Sequence, residues 1–243
     1  MLADRRLPAL LLVLAVGPLL TGCPNPNTYG TPRTVPKGKI SHTVAAEMMG
    51  FSADVTTTST DSTGQTVTTT ETVGGSIPVA PTYQMRIGVA EPVDIGVRVA
   101  NLSTLGADVK VNFLKGGFDM AIGPGFQVFR VGAGNTSVTM TYLHAPLMLG
   151  INLGQSVALV LTPGLMYGVG SAQSTTSGEE AATTTSGVIG RAGFGAEFVL
   201  MEKFALHPEL TMMLPLGESP SNFVYLFGLG FNFGALPDRS DLE

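Results

Sequence analysis

The sequence contains no tryptophan and only one cysteine among its 243 residues. One thiol cannot form an internal disulfide, so the fold does not depend on disulfide bridges. Charged residues make up 13% of the chain, against about 25% in a typical soluble domain. Apart from Arg5 and Arg6 there is no basic cluster, and the net charge is −5. The sequence therefore lacks the positive surface that nucleic-acid binding requires.

Hydrophobic residues are abundant, at 44%, and the chain has 31 glycines. Threonine and serine are concentrated in a few segments. This composition favours a β-rich protein with many turns. The excess of apolar residues calls for an apolar solvent or an unusual core.

The amino terminus has the layout of a secretory signal. Arg5 and Arg6 precede the apolar run "LPALLLVLAVGPLL", residues 7–20. This run is shorter than the about 20 apolar residues of a spanning helix. Residues 1–22 are therefore predicted to be a signal peptide and are set aside from the fold.

The residues that follow, Leu20-Thr21-Gly22-Cys23, resemble the lipobox of bacterial lipoproteins. The resemblance implies that Cys23 becomes the first mature residue and carries a diacylglycerol group. In that family an aspartate after the cysteine retains the protein at the inner membrane. Pro24 therefore implies the outer membrane, with the lipid on the periplasmic side. The alternative is a chance cysteine in an ordinary signal.

Between the cysteine and the body of the chain lies "PNPNTYGTPRTVPK", residues 24–37. Its proline, asparagine and threonine content is typical of an extended linker. Residues 23–37 are predicted to be the lipidated cysteine and a flexible tether with a reach of about 40 Å.

From residue 38 onward, apolar and small or polar residues alternate with a period of two. "VDIGVRVA", residues 93–100, puts Val97 on a large apolar face and Arg98 on the opposite face. Such alternation predicts β-strands with no convincing helix. About ten antiparallel strands are expected, with eight as the alternative: 38–58, 76–90, 93–101, 105–114, 118–130, 137–152, 156–170, 187–200, 203–215 and 222–234.

The connections alternate between short turns and mostly longer loops. This pattern predicts a closed transmembrane β-barrel over residues 38–234, with short periplasmic turns and external hairpin loops. Closure satisfies every backbone polar group in lipid. Residues 235–243 form a polar C-terminal tail. Four prolines within the predicted strands are expected to mark bulges: Pro124, Pro146, Pro163 and Pro208.

Two segments resemble strands of small bacterial outer-membrane β-barrel proteins: "YLHAPLMLGINLG" (142–154) and "GLGFNFG" (228–234). The resemblance implies an outer-membrane barrel embedded in outer-membrane lipids. A soluble, lipocalin-like barrel is the alternative, in which the apolar face would point inward. Threonine-rich loops at 59–75 and 171–186 are predicted to be hairpins that extend beyond the membrane. They offer a surface to a partner, or else are simply solvated.

On the face expected to line the lumen, four permanent cations stand against six acids. Charges at membrane depth must pair or meet water, so we expect an ion-pair network that largely plugs the barrel. Symmetrical pairing across the turn at 202–203 places Glu197 opposite His207. The predicted lumen-lining residues are Glu47, Arg86, Asp94, Arg98, Asp108, Lys110, Asp119, His144, Arg191, Glu197, His207 and Glu209.

The expected role is structural or surface-interacting in the cell envelope, and a narrow channel for small polar solutes is the alternative. An outer-membrane hydrolase is less favoured, although ten strands is also the size of the omptin proteases. Those need histidine and acids at the external rim, whereas His42 and His207 fall near the periplasmic end. No catalytic residues, metal ligands or cofactor motif stand out.

Overall fold

The computed structural model describes residues 25–60, 65–100, 103–133, 136–176, 179–217 and 222–242. The predicted signal peptide and Cys23 lie outside this part of the chain. No helix among the described residues is long and apolar enough to cross a membrane. The strands are β1 (Ile40–Thr60), β2 (Thr66–Ala90), β3 (Val93–Ala100), β4 (Thr104–Leu114), β5 (Phe118–Ile122), β6 (Gly125–Ala133), β7 (Thr136–Asn152), β8 (Val157–Leu161), β9 (Gly164–Thr176), β10 (Glu179–Met201), β11 (Phe204–Pro215) and β12 (Phe223–Gly234).

These strands form a closed ring of ten positions in which all neighbours are antiparallel. β5 and β6 follow each other in one position, and both pair with β4 and β7. β8 and β9 likewise share one position between β7 and β10. The ring closes where β1 pairs with β12, from Ser41↔Gly234 to Ser52↔Phe223. The prediction of ten strands is confirmed, and the alternative of eight is wrong.

The strand prolines do not mark bulges, contrary to the sequence expectation. Pro124 and Pro163 fall at the breaks between β5 and β6 and between β8 and β9, and the register continues across both breaks. The Pro124 carbonyl still accepts from the Val109 N–H at 2.9 Å, and the Pro163 carbonyl from Leu147 at 2.8 Å. Each proline removes one donor while its acceptor stays in the ladder. Pro146 and Pro208 pair within their strands without a register shift.

The apolar face of each strand points outward. In β3 the residues Ile95, Val97 and Val99 are exposed, whereas Asp94 and Arg98 are buried. A soluble barrel would show the reverse arrangement. The outward apolar band and the closed ladder are what a bilayer requires, so the chain forms a transmembrane β-barrel.

The two ends of the barrel differ. Short turns at 91–92, 115–117, 153–156 and 202–203 mark what we call the turn end. At the opposite loop end, two hairpins extend past their neighbours. β1 and β2 stay paired to Thr60↔Thr66, although the pairing of β1 with β12 stops at Ser52. β9 and β10 stay paired to Thr176↔Glu179. The predicted hairpins are therefore confirmed.

Aromatic rings lie on the outer surface near the turn end. Phe113, Phe118 and Phe198 are exposed there. His42 stacks on Phe233 with ring centroids 5.3 Å apart, and its Nδ1 lies 2.8 Å from the Tyr83 hydroxyl. Rings at this level are typical of the membrane–water interface.

The membrane-spanning face predicts a sharp difference between two equally exposed valines. Val97 on β3 and Val67 on the β1–β2 hairpin are both 44% exposed. Val97→Lys places a charge in lipid and should lower the free energy of unfolding by about 2–4 kcal/mol. Val67→Lys places it in water and should change stability by less than about 0.5 kcal/mol. Urea titration in lipid vesicles measures both values. Equal effects would contradict the assignment of the lipid-facing surface.

Candidate functional site

Successive side chains of each strand point alternately outward and inward, and all twelve predicted lumen-lining side chains point inward. Nine of these residues are buried, and Arg86, Asp108 and His144 are partly buried. The nine are Glu47, Asp94, Arg98, Lys110, Asp119, Arg191, Glu197, His207 and Glu209. The lumen is therefore a polar interior enclosed by an apolar wall.

Residues 25–36, which we call the lumenal segment, occupy this interior. Asn25, Tyr29 and Arg33 are each at most 2% exposed. The C-terminal end of the segment lies at the turn end, where the nearby Gly38 N–H donates to the Gly88 carbonyl at 2.8 Å. It reaches the middle of the barrel at Asn25. The prediction of a free tether is wrong for these residues, because the segment is extended but packed inside the barrel.

The inner end of the lumenal segment is held by Glu47. The Asn25 side-chain amide donates to Glu47 Oε1 at 2.6 Å, and the Thr82 hydroxyl donates to Oε2 at 2.7 Å. The Tyr29 hydroxyl donates to the same carboxylate. Gln127 completes this end, because it accepts from the Asn25 N–H at 2.9 Å and donates to the Asn25 carbonyl at 2.8 Å.

Backbone groups of the lumenal segment are also bound by charged wall residues. The Thr28 and Tyr29 N–H groups donate to Glu209 Oε2 at 2.9 and 2.6 Å. Arg98 Nη1 donates to the carbonyls of Asn25 and Asn27 at 2.9 and 2.7 Å. An extended chain without a neighbouring strand has unpaired backbone groups, and the wall satisfies several of them with charge-assisted hydrogen bonds.

Four wall residues form a compact ion-pair network beside the segment. Arg86 Nη2 lies 2.6 Å from both Asp94 Oδ1 and Asp108 Oδ1, and Lys110 Nζ lies 3.3 Å from Asp94 Oδ2. Lys110 also donates to the carbonyls of Thr31 and Arg33, at 3.0 and 2.6 Å. The predicted ion pairs are present. Lys110 belongs to this network and also binds backbone carbonyls of the lumenal segment.

The two chain ends supply the cations that the wall lacks. Arg33 Nε donates to the fully buried Asp119 at 2.7 Å. Arg239, from the C-terminal tail, pairs with the buried Glu197. The wall has four permanent cations and six acids among the predicted residues, and these two arginines make the numbers equal. Uncompensated buried charge is strongly destabilising, so both ends are part of the electrostatic balance.

The C-terminal tail also closes the turn end. Arg33 Nη1 donates to the Asp238 carbonyl at 2.7 Å and pairs with Asp241. The hydrogen bond from Arg33 lowers the pKa of the Asp241 carboxyl below its usual value. This contact therefore persists at neutral pH and is lost as the pH falls through that lowered pKa.

The predicted contact between Glu197 and His207 is confirmed. β10 and β11 pair through Gly195↔Glu209 and Phe198↔Leu206, which sets the two residues opposite each other. His207 Nδ1 lies 3.9 Å from Glu197 Oε2, and its Nε2 lies 3.7 Å from Glu209 Oε2. Both distances exceed hydrogen-bond length, so the imidazole lies between two carboxylates without a hydrogen bond to either.

Two glycines of β12 are a sequence feature related to the lumenal segment that the overall composition did not reveal. Gly228 and Gly230 occupy inward positions of β12. A Cβ at position 228 would lie 1.9 Å from the Tyr29 hydroxyl, and one at position 230 would lie 2.9 Å from the Tyr29 ring. Inward glycines in mid-strand allow close approach of another chain. Together with the excess of acids in the wall, they indicate an inserted segment.

The three histidines do not meet the geometry of an external active site. His42 lies on the outer surface near the turn end, and His144 and His207 lie in the wall of the lumen. Among the described residues there is no group of three or more His, Cys, Asp or Glu able to hold a metal ion.

Comparison with known proteins identifies similar barrels only among solved structures. No family model and no curated protein matches the sequence. The outer membrane protease OmpT from Escherichia coli is 7% identical with a TM-score of 0.46, and the match covers 83% of this chain and 98% of that chain. The outer membrane protein OprG from Pseudomonas aeruginosa is 12% identical with a TM-score of 0.36, covering 85% and 99%.

The attachment invasion locus protein Ail from Yersinia pestis is 10% identical with a TM-score of 0.35, and the match covers 82% of this chain and 99% of that chain. These solved structures are bacterial outer-membrane β-barrel proteins. Identities and scores this low assign no activity to the present chain. The barrel itself is established by its own ring of strands and its outward apolar face.

The pairing of Arg33 with Asp119 predicts a large effect from a single substitution. Arg33→Met leaves a buried carboxylate unpaired and should lower the free energy of unfolding by about 3–5 kcal/mol. Adding Asp119→Asn should restore most of that loss. Lys115→Met is the control, because Lys115 lies 4.0 Å from Glu91 in an exposed pair and should cost at most about 1 kcal/mol. Denaturant titration gives all three values. An Arg33→Met protein as stable as the control would contradict the charge balance.

Proposed function

We propose that this protein is an outer-membrane β-barrel with a closed lumen and a structural or surface-interacting role in the cell envelope. The observation that carries the proposal is the position of residues 25–36, which run along the lumen and bind its wall. Two further features support it, the small size of the cavities beside this segment and the hairpins at the loop end.

The space left beside the lumenal segment is small. Two cavities of about 30 Å³ each lie between the lumenal segment and the wall. A single water needs about 10–15 Å³ by the same measure, so each holds a few waters at most. Such cavities do not form a path for a solute while the segment is in place.

The loop-end hairpins present backbone edges that an extended partner can use. Residues 55–60 of β1 extend beyond β12, and residues 179–187 of β10 extend beyond β11. In the part of the chain that the structure describes, neither stretch has a strand on its second edge. Free edges of this kind accept an added strand. We therefore assign the surface role to these two hairpins, at 59–75 and 171–186.

The lipid anchor remains a proposal from the resemblance at Leu20–Cys23, since Cys23 lies outside the described residues. Asn25 lies in the middle of the lumen, and two residues span at most about 7 Å. Cys23 therefore cannot reach the turn end while the lumenal segment is inserted. The periplasmic position expected for the lipid is compatible only with a barrel from which the segment has been withdrawn.

This constraint gives the second candidate function its specific support. A periplasmic lipid on Cys23 would hold the segment outside the barrel and leave a polar lumen open. The protein would then be a narrow channel for small polar solutes, which is the alternative function derived from the sequence.

Planar-bilayer recordings of the purified protein separate the two functions. The full chain should show no stable conductance steps, whereas deletion of residues 25–36 together with Asp119→Asn should produce them. The second change avoids an unpaired buried acid in the deletion variant. Deletion of the hairpin tip, residues 58–68, is the matched control and should leave the lumen closed. Stable steps from the full chain would overturn the closed-lumen proposal and favour the channel.

Mass spectrometry of the mature amino terminus tests the anchor. A lipid-anchored protein, as the second candidate function requires, gives a first peptide that begins at Cys23 and carries the mass of a diacylglycerol group. Cys23→Ala should lack this mass. A wild-type peptide with an unmodified cysteine would exclude lipidation.

A further inference from the structure

One of the two lumen cavities is surrounded mainly by cationic groups. It lies between residues 25–28 of the lumenal segment and the wall formed by β2, β3, β4, β7 and β10. Its ionisable lining residues are Arg86, Arg98, Asp108, Lys110, His144 and Arg191. Four permanent cations and a histidine thus face one carboxylate.

Two of these cations have no carboxylate partner. Arg86 and Lys110 pair with Asp94 and Asp108 as described above. Arg98 and Arg191 form no such ion pair within 4.0 Å among the described residues. Arg98 is nevertheless occupied, because its guanidinium binds two carbonyls of the lumenal segment.

Arg191 differs from Arg98 because one of its donors is unused. Arg191 is 5% exposed. Among the described residues, its Nη2 donates a hydrogen bond to the Thr162 hydroxyl at 3.0 Å. Its Nε is buried without a partner in the described structure. Nδ1 of His144, another lining residue of the cavity, is also buried and unpartnered in the described structure. A buried donor without an acceptor is costly, and a buried guanidinium more so.

We propose that this cavity binds one small inorganic anion of halide size, held by the Nε–H of Arg191 and a donor on His144. A volume of about 30 Å³ suits a single halide ion. The anion supplies the acceptor that Arg191 Nε lacks. Fixed cations in a low-dielectric enclosure favour such an ion.

The anion also fixes the lumenal segment. Asn25, Asn27 and Thr28 form one side of the cavity, so the site exists only when the segment is inserted. By mass action, an ion that binds this arrangement alone stabilises it as the ion concentration rises. The site therefore links halide concentration to the closure of the barrel.

Crystallography with bromide tests the site directly. Crystals of the full protein grown with bromide as the sole halide should show an anomalous peak within hydrogen-bond distance of Arg191 Nε. The arginine is then bound to the ion and not to water. A well-ordered cavity that contains only water, or nothing, would overturn the proposal.

A measurement in detergent solution gives an independent outcome. The unfolding temperature of the wild-type protein should rise in sodium bromide relative to sodium gluconate at equal ionic strength, and the rise should saturate. Arg191→Gln should abolish this difference, and His144→Ala should reduce it. Arg130→Gln is the control, because Arg130 is exposed on β6 and its loss should leave the response unchanged. An equal bromide response in Arg191→Gln would show a general salt effect and contradict the site.

Discussion

Charge neutrality inside the lumen is the constraint on which the rest of this structure depends. The wall places six acids and four permanent cations at membrane depth. A buried charge without a partner costs several kcal/mol, and most of these side chains are buried. Arg33 and Arg239 meet Asp119 and Glu197, and both arginines come from outside the strands. The ends of the chain are therefore structural parts of the barrel interior.

This dependence explains why both ends fold against the same rim. The lumenal segment passes through the turn end, and Arg33 also binds the C-terminal tail through Asp238 and Asp241. The tail in turn reaches Glu197 through Arg239. Opening the lumen at neutral pH thus requires loss of several charge-assisted hydrogen bonds and exposure of two buried carboxylates. Closure is the stable state of the described chain, and it leaves the loop-end hairpins as the accessible surface.

The wall of the barrel could be predicted from the sequence because strand periodicity is a local property. Alternation in segments such as 93–100 identified the lipid-facing and inward positions. The placement of Glu197 opposite His207 depends in addition on a register shift between Val199 and Met201, which the sequence did not indicate. The interior could not be predicted by the same route. A proline- and asparagine-rich segment has the same composition whether it is solvated or packed in a polar lumen, where its unpaired backbone is bound by Glu209, Arg98 and Lys110. The bulges expected at prolines were wrong because Pro124 and Pro163 lie where only an acceptor is needed.

The most direct measurement of the central claim is a disulfide between the lumenal segment and the wall. A Cβ at position 230 would lie 3.1 Å from the Cβ of Tyr29, near the mean of about 3.8 Å in disulfides. Tyr29→Cys with Gly230→Cys should therefore cross-link in protein isolated from membranes, as seen by peptide mass spectrometry without reductant. Tyr29→Cys with Leu229→Cys should not, because Leu229 faces outward. Cross-linking of the first pair alone is the result expected for an inserted segment. Failure of that pair to cross-link, in a folded barrel, would contradict a lumen closed by residues 25–36.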